Sequence, residues 1–333
     1  MTLAGESPSP AGVKGTAIVV TYNSARCVAS CLSALASQPG WEVILIDNAS
    51  KDDTAKRATQ FAPRVRVVAN RGNIGLASAI NQAVAMSRGD VCVAVNPDAV
   101  AEPGALDKMA AALSIYEAGA VGGVLLLEGD RLQKGNMLRR FPTLGSSMAE
   151  LLLLNKVWRR NPWNRSYRYL DMDYDQPQPV DNPAGACLAF RRKAWESVGG
   201  FDEGFYPCWF EDVDFCHSVI KAGWKIVYEP AAVFRHEGAH SVGQLAPYRH
   251  QLLWHSNYVR YFRKHHGQFQ TLVLRAIIAA GLSLRAGLCL VAPPRGSSRL
   301  EAASSYLRTV WRCALRTVEP RRLADPGDNP TAT

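Results

Sequence analysis

Polar residues follow three apolar runs of the chain at the position where each run ends. Residues 16–20, 43–46 and 91–95 are apolar and rich in β-branched side chains, which is typical of buried strands. They end in Thr21-Tyr22-Asn23, Asp47-Asn48-Ala49-Ser50 and Asn96-Pro97-Asp98. Hydroxyl, amide and carboxylate groups of this kind suit a nucleotide and a divalent cation that bridges its phosphates.

The spacing of these runs predicts an α/β fold with a mostly parallel central sheet flanked by helices. Strands at 16–20, 43–47, 65–69, 91–96 and 120–127 alternate with helices at 25–37, 54–61, 75–87 and 103–117. Ligands of such sheets bind at the carboxyl ends of the strands. We therefore expect the three polar tips to converge on one site.

The regular alternation stops after residue 127. Residues 128–179 contain polar, aromatic and proline-bearing stretches, which indicate an insertion with one helix near 146–157 that acts as an active-site flap. Beyond it the pattern predicts a strand at 186–191, a helix at 211–222 and short strands at 225–228 and 233–235.

Three motifs at the strand tips have both a chemical and a structural interpretation. Asp47 can accept hydrogen bonds from a base or a ribose, although acids before a helix are often N-caps. In Asn73-Ile74-Gly75, the glycine permits close backbone approach and the following helix N-terminus suits a diphosphate, but the motif is weak alone. Asp98 can ligate a divalent cation, or Asn96-Pro97-Asp98 is a plain turn.

The tetrapeptide Glu211-Asp212-Val213-Asp214 places three acids next to the aromatic residues Phe205, Tyr206, Trp209 and Phe210. Apolar walls and neighbouring acids raise the pKa of a carboxyl group, which is the condition that a general base needs. The structural alternative is that these acids complement the dipole of the helix that they open. Three acids in four residues exceed what that alternative requires.

The run from His236 to His240 matches HExxH, the zinc-peptidase signature. That motif needs a helix to hold both histidines on one face, whereas residues 233–235 are predicted as a strand and Gly238 weakens any helix. A single metal ligand at a strand end is the better interpretation of His236.

The net charge of +9 lies entirely in the last part of the chain. After residue 240 there are thirteen Lys and Arg residues and four Asp and Glu residues, so the first 240 residues are neutral. Arg275 and Arg285 argue against a membrane-spanning helix at 271–292, because an Arg at the bilayer centre costs about 2.5–3.5 kcal/mol. Arg308, Arg312 and Arg316 recur every fourth residue in a predicted helix at 300–318.

This basic amphipathic helix predicts peripheral binding to an anionic membrane, with a helix packed on the protein as the alternative. A third possibility is a non-catalytic module that holds nucleic acid, but no aromatic–glycine nucleic-acid motif supports it. Residues 1–15 contain no apolar signal segment and the eight cysteines form no CxxC pair, so we expect a reducing cytoplasm.

Together these motifs resemble family-2 glycosyltransferases of the GT-A fold, most closely bacterial rhamnosyltransferase-like members. The resemblance covers residues 16–241 and an aromatic–basic stretch at 254–267. Its motifs are Thr21-Tyr22-Asn23, Asp47-Asn48-Ala49-Ser50, Asn73-Ile74-Gly75 with Asn81, Asn96-Pro97-Asp98, Arg140-Phe141-Pro142, Gly185-Ala186-Cys187, Gly199-Gly200-Phe201-Asp202-Glu203, Glu211-Asp212-Val213-Asp214 and His236.

The resemblance implies an inverting transfer of a sugar from a nucleotide donor, dTDP-rhamnose or alternatively a UDP-hexose, to a lipid-linked or cell-envelope polysaccharide acceptor. It implies a donor nucleotide site at Thr21, Tyr22, Asn23, Asp47, Asn48, Asn73 and Asn96. Asp98 and His236 would bind Mg²⁺ or Mn²⁺, and Asp212 would be the base, with Glu211 beside it. Asp214, Gly185, Ala186 and Trp209 would position donor and acceptor.

The expected organisation is a disordered N-terminus (1–14), a GT-A catalytic domain (15–240), a basic helical region (241–320) and a disordered tail (321–333). The basic region is predicted to bind the inner face of the cell membrane or the acceptor. Because the first position of the metal motif is Asn96 and not an acid, metal binding rests on one carboxylate.

Overall fold

A computed structural model of the chain describes residues 13–158, 160–236, 247–292 and 298–315. Its strands are β1 (Gly15–Thr21), β2 (Trp41–Asp47), β3 (Val65–Ala69), β4 (Val91–Val95), β5 (Ala99–Ala101), β6 (Ala118–Leu127), β7 (Arg131–Leu132), β8 (Leu138–Arg139), β9 (Gln178–Pro179), β10 (Asn182–Pro183), β11 (Cys187–Arg191) and β12 (Lys225–His236).

The helices are α1 (Val28–Ala36), α2 (Thr54–Thr59), α3 (Leu76–Met86), α4 (Ala105–Ile115), α5 (Leu144–Leu151), α6 (Leu154–Val157), α7 (Pro162–Tyr167), α8 (Arg192–Ser197), α9 (Glu211–Lys221), α10 (Pro247–His265), α11 (Gly267–Val291) and α12 (Arg299–Thr309). A short π-helix, Val310–Leu315, continues α12. The predicted termini at 1–14 and 321–333 lie outside the described residues, apart from residues 13 and 14.

The central sheet has the strand order β3-β2-β1-β4-β11-β6-β12-β5. The strands β3, β2, β1 and β4 are parallel, as predicted, because each is followed by a segment that returns the chain to the same edge of the sheet. β11 is antiparallel to both neighbours, β4 and β6, and β12 runs parallel to β6. The carboxyl ends of β1, β2, β4, β6 and β12 therefore share one edge of the sheet.

The apolar runs are buried on both faces of this sheet. Ile18, Ile44, Val93 and Phe190 are almost wholly inaccessible to solvent and belong to one core cluster. Burial on both faces explains why these strands are continuous hydrophobic runs without polar alternation. The same pattern made them recognisable in the sequence.

Several details differ from the sequence prediction. The two short strands predicted at 225–228 and 233–235 are one strand, β12, with a register shift between Tyr228 and Val233. The insertion carries three helices, α5 to α7, instead of one. The strand β5, which follows Asp98 directly, was not predicted because three residues are too few to show a period.

The C-terminal helices pack on the catalytic part of the chain. Tyr258, Tyr261 and Phe262 of α10 form a core with Phe205 and Phe210, the residues that lead into α9. Helix α11 contributes Leu274, Ile278 and Leu282 to the same core. The helical extension predicted after residue 240 is thus confirmed.

Among the described helices, α11 alone has the length and apolar composition of a membrane-crossing helix. One of its faces is occupied by the protein, as the buried residues Leu274, Ile278 and Leu282 show. The guanidinium of Arg285 donates hydrogen bonds to the carbonyl oxygens of Glu150 and Leu151 at the end of α5.

Candidate active site

The tips of β1 and β2 are joined through buried side chains. Thr21 pairs with Asp47 in the parallel register, and the Thr21 hydroxyl donates to Asp47 Oδ1 over 2.9 Å. Ser50 donates to the same carboxylate through its backbone N–H (3.0 Å) and its hydroxyl (2.5 Å). Three donors fix the Asp47 carboxylate at the sheet edge, so it is held in position for a ligand.

The loops after these strands interlock above Asp47. Asn23 and Ala49 both adopt a left-handed backbone conformation, at φ 51° and 60°. The Asn23 backbone N–H donates to Ser50, and its side chain accepts a hydrogen bond from the Lys51 N–H. Asn tolerates this conformation better than most residues, and Tyr22 beside it is half-buried. The Thr21-Tyr22-Asn23 segment is therefore shaped as a rigid rim.

Asn48 and Asn73 belong to the same rim. The Asn48 amide donates to the Gly75 carbonyl over 3.2 Å, and Asn73 accepts from the Gly75 N–H over 2.9 Å. The Tyr206 hydroxyl donates to the Asn73 carbonyl. Gly75 has φ 89°, and a Cβ there would lie 2.8 Å from the Tyr206 ring, so only glycine fits.

Asn96 connects the end of β4 to the segment that holds the acid cluster. Its backbone N–H donates to the Ala186 carbonyl over 3.0 Å, and the neighbouring Gly185 N–H donates to Asp212 Oδ2 over 3.0 Å. Asn96, Gly185, Glu211 and Asp212 line one small cavity. The structure thus brings the β4 tip and the opening of α9 together.

Asp98 and His236 lie side by side because β5 returns along the end of β12. His236 pairs with Ala99, the residue after Asp98, and His236 Nε2 is 3.4 Å from Asp98 Oδ1. Both side chains are less than 10% exposed. His236 Nδ1 lies 3.1 Å from Gln133 Oε1, whereas its buried Nε2 has no hydrogen-bond partner.

A buried imidazole nitrogen without a partner next to a carboxylate fits a divalent cation. Within the described residues no third His, Cys, Asp or Glu side chain joins this pair, so substrate phosphate or water would complete the coordination. His236 ends a strand, which contradicts the helix that a zinc peptidase requires. His240, the second histidine of that alternative, lies outside the described residues.

The pair faces an open cleft of about 870 Å³. Arg26, at the end of the loop after β1, and Arg131 also line this cleft. Their positive charge suits an anionic group near Asp98. Sequence reasoning missed both arginines, as it missed Gln133, because nothing in their local sequence distinguishes them from solvated surface residues.

Asp212 and Glu211 differ in their hydrogen bonds. Asp212 accepts from the Gly185 N–H (3.0 Å) and the Val213 N–H (2.8 Å), while Glu211 Oε2 is buried without a partner. Burial and the charge of Asp212 raise the pKa of Glu211 well above its usual range. Burial also raises the pKa of Asp212, but the two N–H donors and the Arg139 guanidinium oppose that shift.

This contrast in hydrogen bonding favours the proton on Glu211 and the negative charge on Asp212. Two adjacent carboxylates in apolar surroundings do not both ionise readily, and the one with hydrogen-bond donors keeps its charge. The arrangement makes Asp212 the acid of this pair that can accept a proton.

Asp214 and Trp209 face the C-terminal helices. Asp214 is buried and binds the Lys264 ammonium over 2.8 Å and His265 Nε2 over 2.7 Å, both on α10. The Trp209 ring packs edge-on against His250 of the same helix at 4.8 Å. Asp214 therefore links α9 to α10, and Trp209, just before α9, contacts the same helix.

Comparisons with known proteins agree with this architecture. A family model described as glycosyl transferase family 2 matches residues 16–199. In two strains of Mycobacterium tuberculosis, an N-acetylglucosaminyl-diphospho-decaprenol L-rhamnosyltransferase is 31% identical over 297 residues, which are 85% of this chain and 94% of the relative.

Two solved structures show the same fold. The mannosyltransferase PcManGT from Pyrobaculum calidifontis, in complex with GDP-Man and Mn²⁺, has a TM-score of 0.55 at 21% identity, covering 95% of this chain and 84% of that one. TarS from S. aureus, in complex with UDP-GlcNAc, has a TM-score of 0.51 at 15% identity, covering 90% of each chain.

Both are GT-A glycosyltransferases, and the sheet described above has the same architecture. The family model covers more than half of the chain, and the mycobacterial relatives align over nearly their whole length. The chain therefore belongs to glycosyltransferase family 2 and is a glycosyltransferase of the GT-A fold.

Proposed function

We propose that the chain transfers L-rhamnose from dTDP-rhamnose to a hydroxyl of a lipid-linked acceptor in cell-envelope polysaccharide synthesis. The observation that carries this proposal is the alignment with the mycobacterial L-rhamnosyltransferases over 94% of their length. The name of those relatives specifies a diphospho-decaprenol acceptor. Polysaccharide acceptors and UDP-hexose donors are the alternatives that the first experiment separates.

In this proposal the rim at the ends of β1 to β4 binds the donor nucleotide. Asp47, fixed by Thr21 and Ser50, accepts hydrogen bonds from the base or ribose. Asn48 and Asn73 hold the backbone around Gly75, which lets the diphosphate approach the N-terminus of α3. Tyr22, Asn23 and Asn96 form the remaining wall of the nucleotide site.

Asp212 is the proposed general base of an inverting displacement. The acceptor hydroxyl gives its proton to Asp212 as its oxygen bonds to the anomeric carbon, and the bond from that carbon to the diphosphate breaks. No covalent enzyme intermediate forms. Gly185 and Ala186 orient Asp212 through the Gly185 N–H and the contact of Ala186 with Asn96.

Asp98 and His236 are proposed to hold Mg²⁺ or Mn²⁺. Such a cation stabilises the charge that develops on the leaving diphosphate. The contribution of the chain is to bury both ligands and to fix the imidazole through Gln133.

A donor screen tests the proposed function. Purified enzyme is incubated with dTDP-rhamnose, UDP-glucose or UDP-N-acetylglucosamine and a short-chain N-acetylglucosaminyl diphospho-lipid, and nucleotide diphosphate release is measured. We expect turnover with dTDP-rhamnose to exceed that with either UDP-hexose by at least about tenfold, since the pocket must distinguish both base and sugar. Preference for a UDP-hexose would contradict the rhamnose assignment and leave the transferase assignment standing.

We further propose that the helical region described at 247–315 binds the anionic inner face of the cell membrane, while the part up to His236 performs the transfer. The division proposed at 240 and 241 lies outside the described residues. Leu300, Leu307 and Trp311 are 76%, 53% and 53% exposed, at spacings that place them on one face of the last helix. Arg308 and Arg312 lie beside this apolar stripe.

Replacing Arg308 and Arg312 by Gln is expected to weaken binding to vesicles that contain anionic lipid. Each basic residue near such a surface contributes about 1 kcal/mol, so the pair corresponds to a loss of about thirtyfold at low salt. Co-sedimentation with anionic and neutral vesicles measures the effect. Leu307→Gln should weaken the same binding, and Ile115→Gln, an exposed apolar residue on α4, is the matched control.

A further inference from the structure

A second cleft, of about 520 Å³, lies in the inserted segment. Arg140, Arg160 and Arg165 line it, with Asp171 as the carboxylate among the lining residues. Arg165 binds Asp171 through two hydrogen bonds of 3.0 and 2.7 Å, so these two charges cancel. The other two arginines leave the cleft with a net positive charge of two.

Arg140 and Arg160 have no carboxylate partner within the described part of the chain. The Arg140 guanidinium lies over the Tyr169 ring, 4.6 Å from its centroid. The Tyr169 hydroxyl donates to Asp181, which fixes the ring. Stacking on a fixed ring preorganises the guanidinium while leaving its N–H groups for a ligand, and that planar fork matches the oxygens of a phosphate.

The cleft adjoins the proposed base through a short β-ribbon. Arg139, the residue before Arg140, pairs with Asn182, and its guanidinium is close enough to Asp212 to lower the pKa of that carboxyl. The Cα atoms of Arg139 and Arg140 are about 3.8 Å apart. The chain after Asn182 leads to Gly185, which donates to Asp212. Phe141, the residue after Arg140, stacks on His217 of α9 with ring centroids 4.2 Å apart, so the segment that carries Arg140 lies against the helix that Asp212 opens.

Exposed apolar side chains lie close to Arg160 in the chain. Val157, Trp158 and Trp163 are 86%, 52% and 41% exposed, and they flank Arg160 in the chain. The two indole rings pack edge-on at 6.1 Å. Tryptophan next to arginine is typical of a surface that meets both lipid and phosphate.

We propose that this cleft binds the phosphate or diphosphate that joins the acceptor sugar to its lipid. The sugar hydroxyl then faces Asp212, the anion lies between Arg140 and Arg160, and the lipid leaves past Trp158. This inference rests on the proposed function, in that the acceptor is lipid-linked. It adds an acceptor specificity site that is separate from the donor diphosphate at Asp98 and His236.

The test compares Arg140→Gln and Arg160→Gln with the wild type on two acceptors. One is a short-chain N-acetylglucosaminyl diphospho-lipid, and the other is the octyl glycoside of the same sugar, which lacks phosphate. We expect each variant to raise KM for the diphospho-lipid about tenfold or more, since a charge-assisted hydrogen bond is lost. The kcat with the diphospho-lipid, and both kinetic constants with the octyl glycoside, should stay unchanged. Lys56→Gln on α2 is the matched control for removal of one surface charge.

A second measurement does not depend on transfer. Calorimetric titration with geranyl diphosphate, in chelator so that no cation bridges the donor site, should show binding by the wild type and Lys56→Gln that both cleft variants lose. Equal loss of activity on both acceptors, or unchanged KM and geranyl diphosphate affinity, would overturn the proposal. The proposal would also be overturned if the two cleft variants lost binding to anionic vesicles but kept the wild-type affinity for geranyl diphosphate, since the cleft would then bind membrane head groups.

The two proposals fail in distinguishable ways. If the wild type transfers sugar to neither acceptor but binds geranyl diphosphate through Arg140 and Arg160, the proposed function fails and the anion site stands. If it transfers to both acceptors and the variants behave like the wild type, the anion site fails and the transferase assignment stands.

Discussion

Replacing Asp212 by Asn is expected to lower kcat about 10²- to 10⁴-fold, the range that a general base contributes. The amide keeps the shape of the side chain, and its one oxygen can accept from either the Gly185 or the Val213 N–H, since these donors bind different oxygens of the carboxylate. Donor binding should therefore stay within about twofold of the wild type. Single-turnover transfer and equilibrium binding of the nucleotide donor measure the two effects separately.

Glu211→Gln is the matched control for this variant. Because burial raises the pKa of Glu211 and favours its protonated form, a neutral amide resembles that form, and Glu211→Gln should retain most of the activity. A larger loss in Glu211→Gln than in Asp212→Asn would reverse the assignment of proton and base. Near-normal turnover by Asp212→Asn would remove Asp212 from the mechanism.

The pH profile gives an independent check on the same pair. Burial raises the pKa of Asp212, so the base becomes protonated at a pH above the usual range for an aspartate. Activity should consequently fall on the acid side at a higher pH than for an ordinary carboxylate. Arg139→Gln removes a positive charge that lowers the pKa of Asp212, so the loss of activity on the acid side should begin at a still higher pH.

Replacing Asp98 by Ala is expected to abolish the dependence on divalent cation and to lower kcat at least about 100-fold. A cation that neutralises a leaving diphosphate is worth several kcal/mol in the transition state. Among the residues that the structure describes, Asp98 is the carboxylate that lies beside His236, at 3.4 Å, so its replacement leaves the imidazole as the remaining ligand of the pair. Titration of activity with Mn²⁺ and Mg²⁺ after treatment with chelator measures the effect.

Electron paramagnetic resonance of bound Mn²⁺ supplies a readout that does not require turnover. The Asp98→Ala variant should lose the bound signal in the presence of nucleotide diphosphate. Glu128→Gln is the control, since Glu128 lines the same cleft. If chelator still inactivates Asp98→Ala as it does the wild type, the cation is bound elsewhere.

The elements that the sequence predicted best are those with a strong period. Strand β3 was predicted at its observed bounds, and helix α9 was predicted to within one residue. Both depend on local patterns of burial. The insertion was predicted less well because its helices are short and pack through contacts that no local period shows, such as the ion pair that joins Arg168 at the end of α7 to Glu150 of α5.

The polar residues at the strand tips and the acids before α9 were identifiable because their residue types and positions carry chemical meaning. The residues that contact them in the fold could not be identified in this way. Gln133 beside His236 and Arg139 beside Asp212 belong to the irregular insertion. The different fates of Asp212 and Asp214, two residues apart on one helix, also required the position of α10.

By itself the sequence determined the α/β alternation, the edge of the sheet at which ligands bind and the acids available there, since each is a consequence of local period and residue chemistry. Tertiary structure alone decided that Asp98 meets His236, that Asp214 is neutralised by Lys264, and that Arg140 faces a second cleft. These contacts join residues far apart in the chain, and they depend on how strands and helices pack in three dimensions.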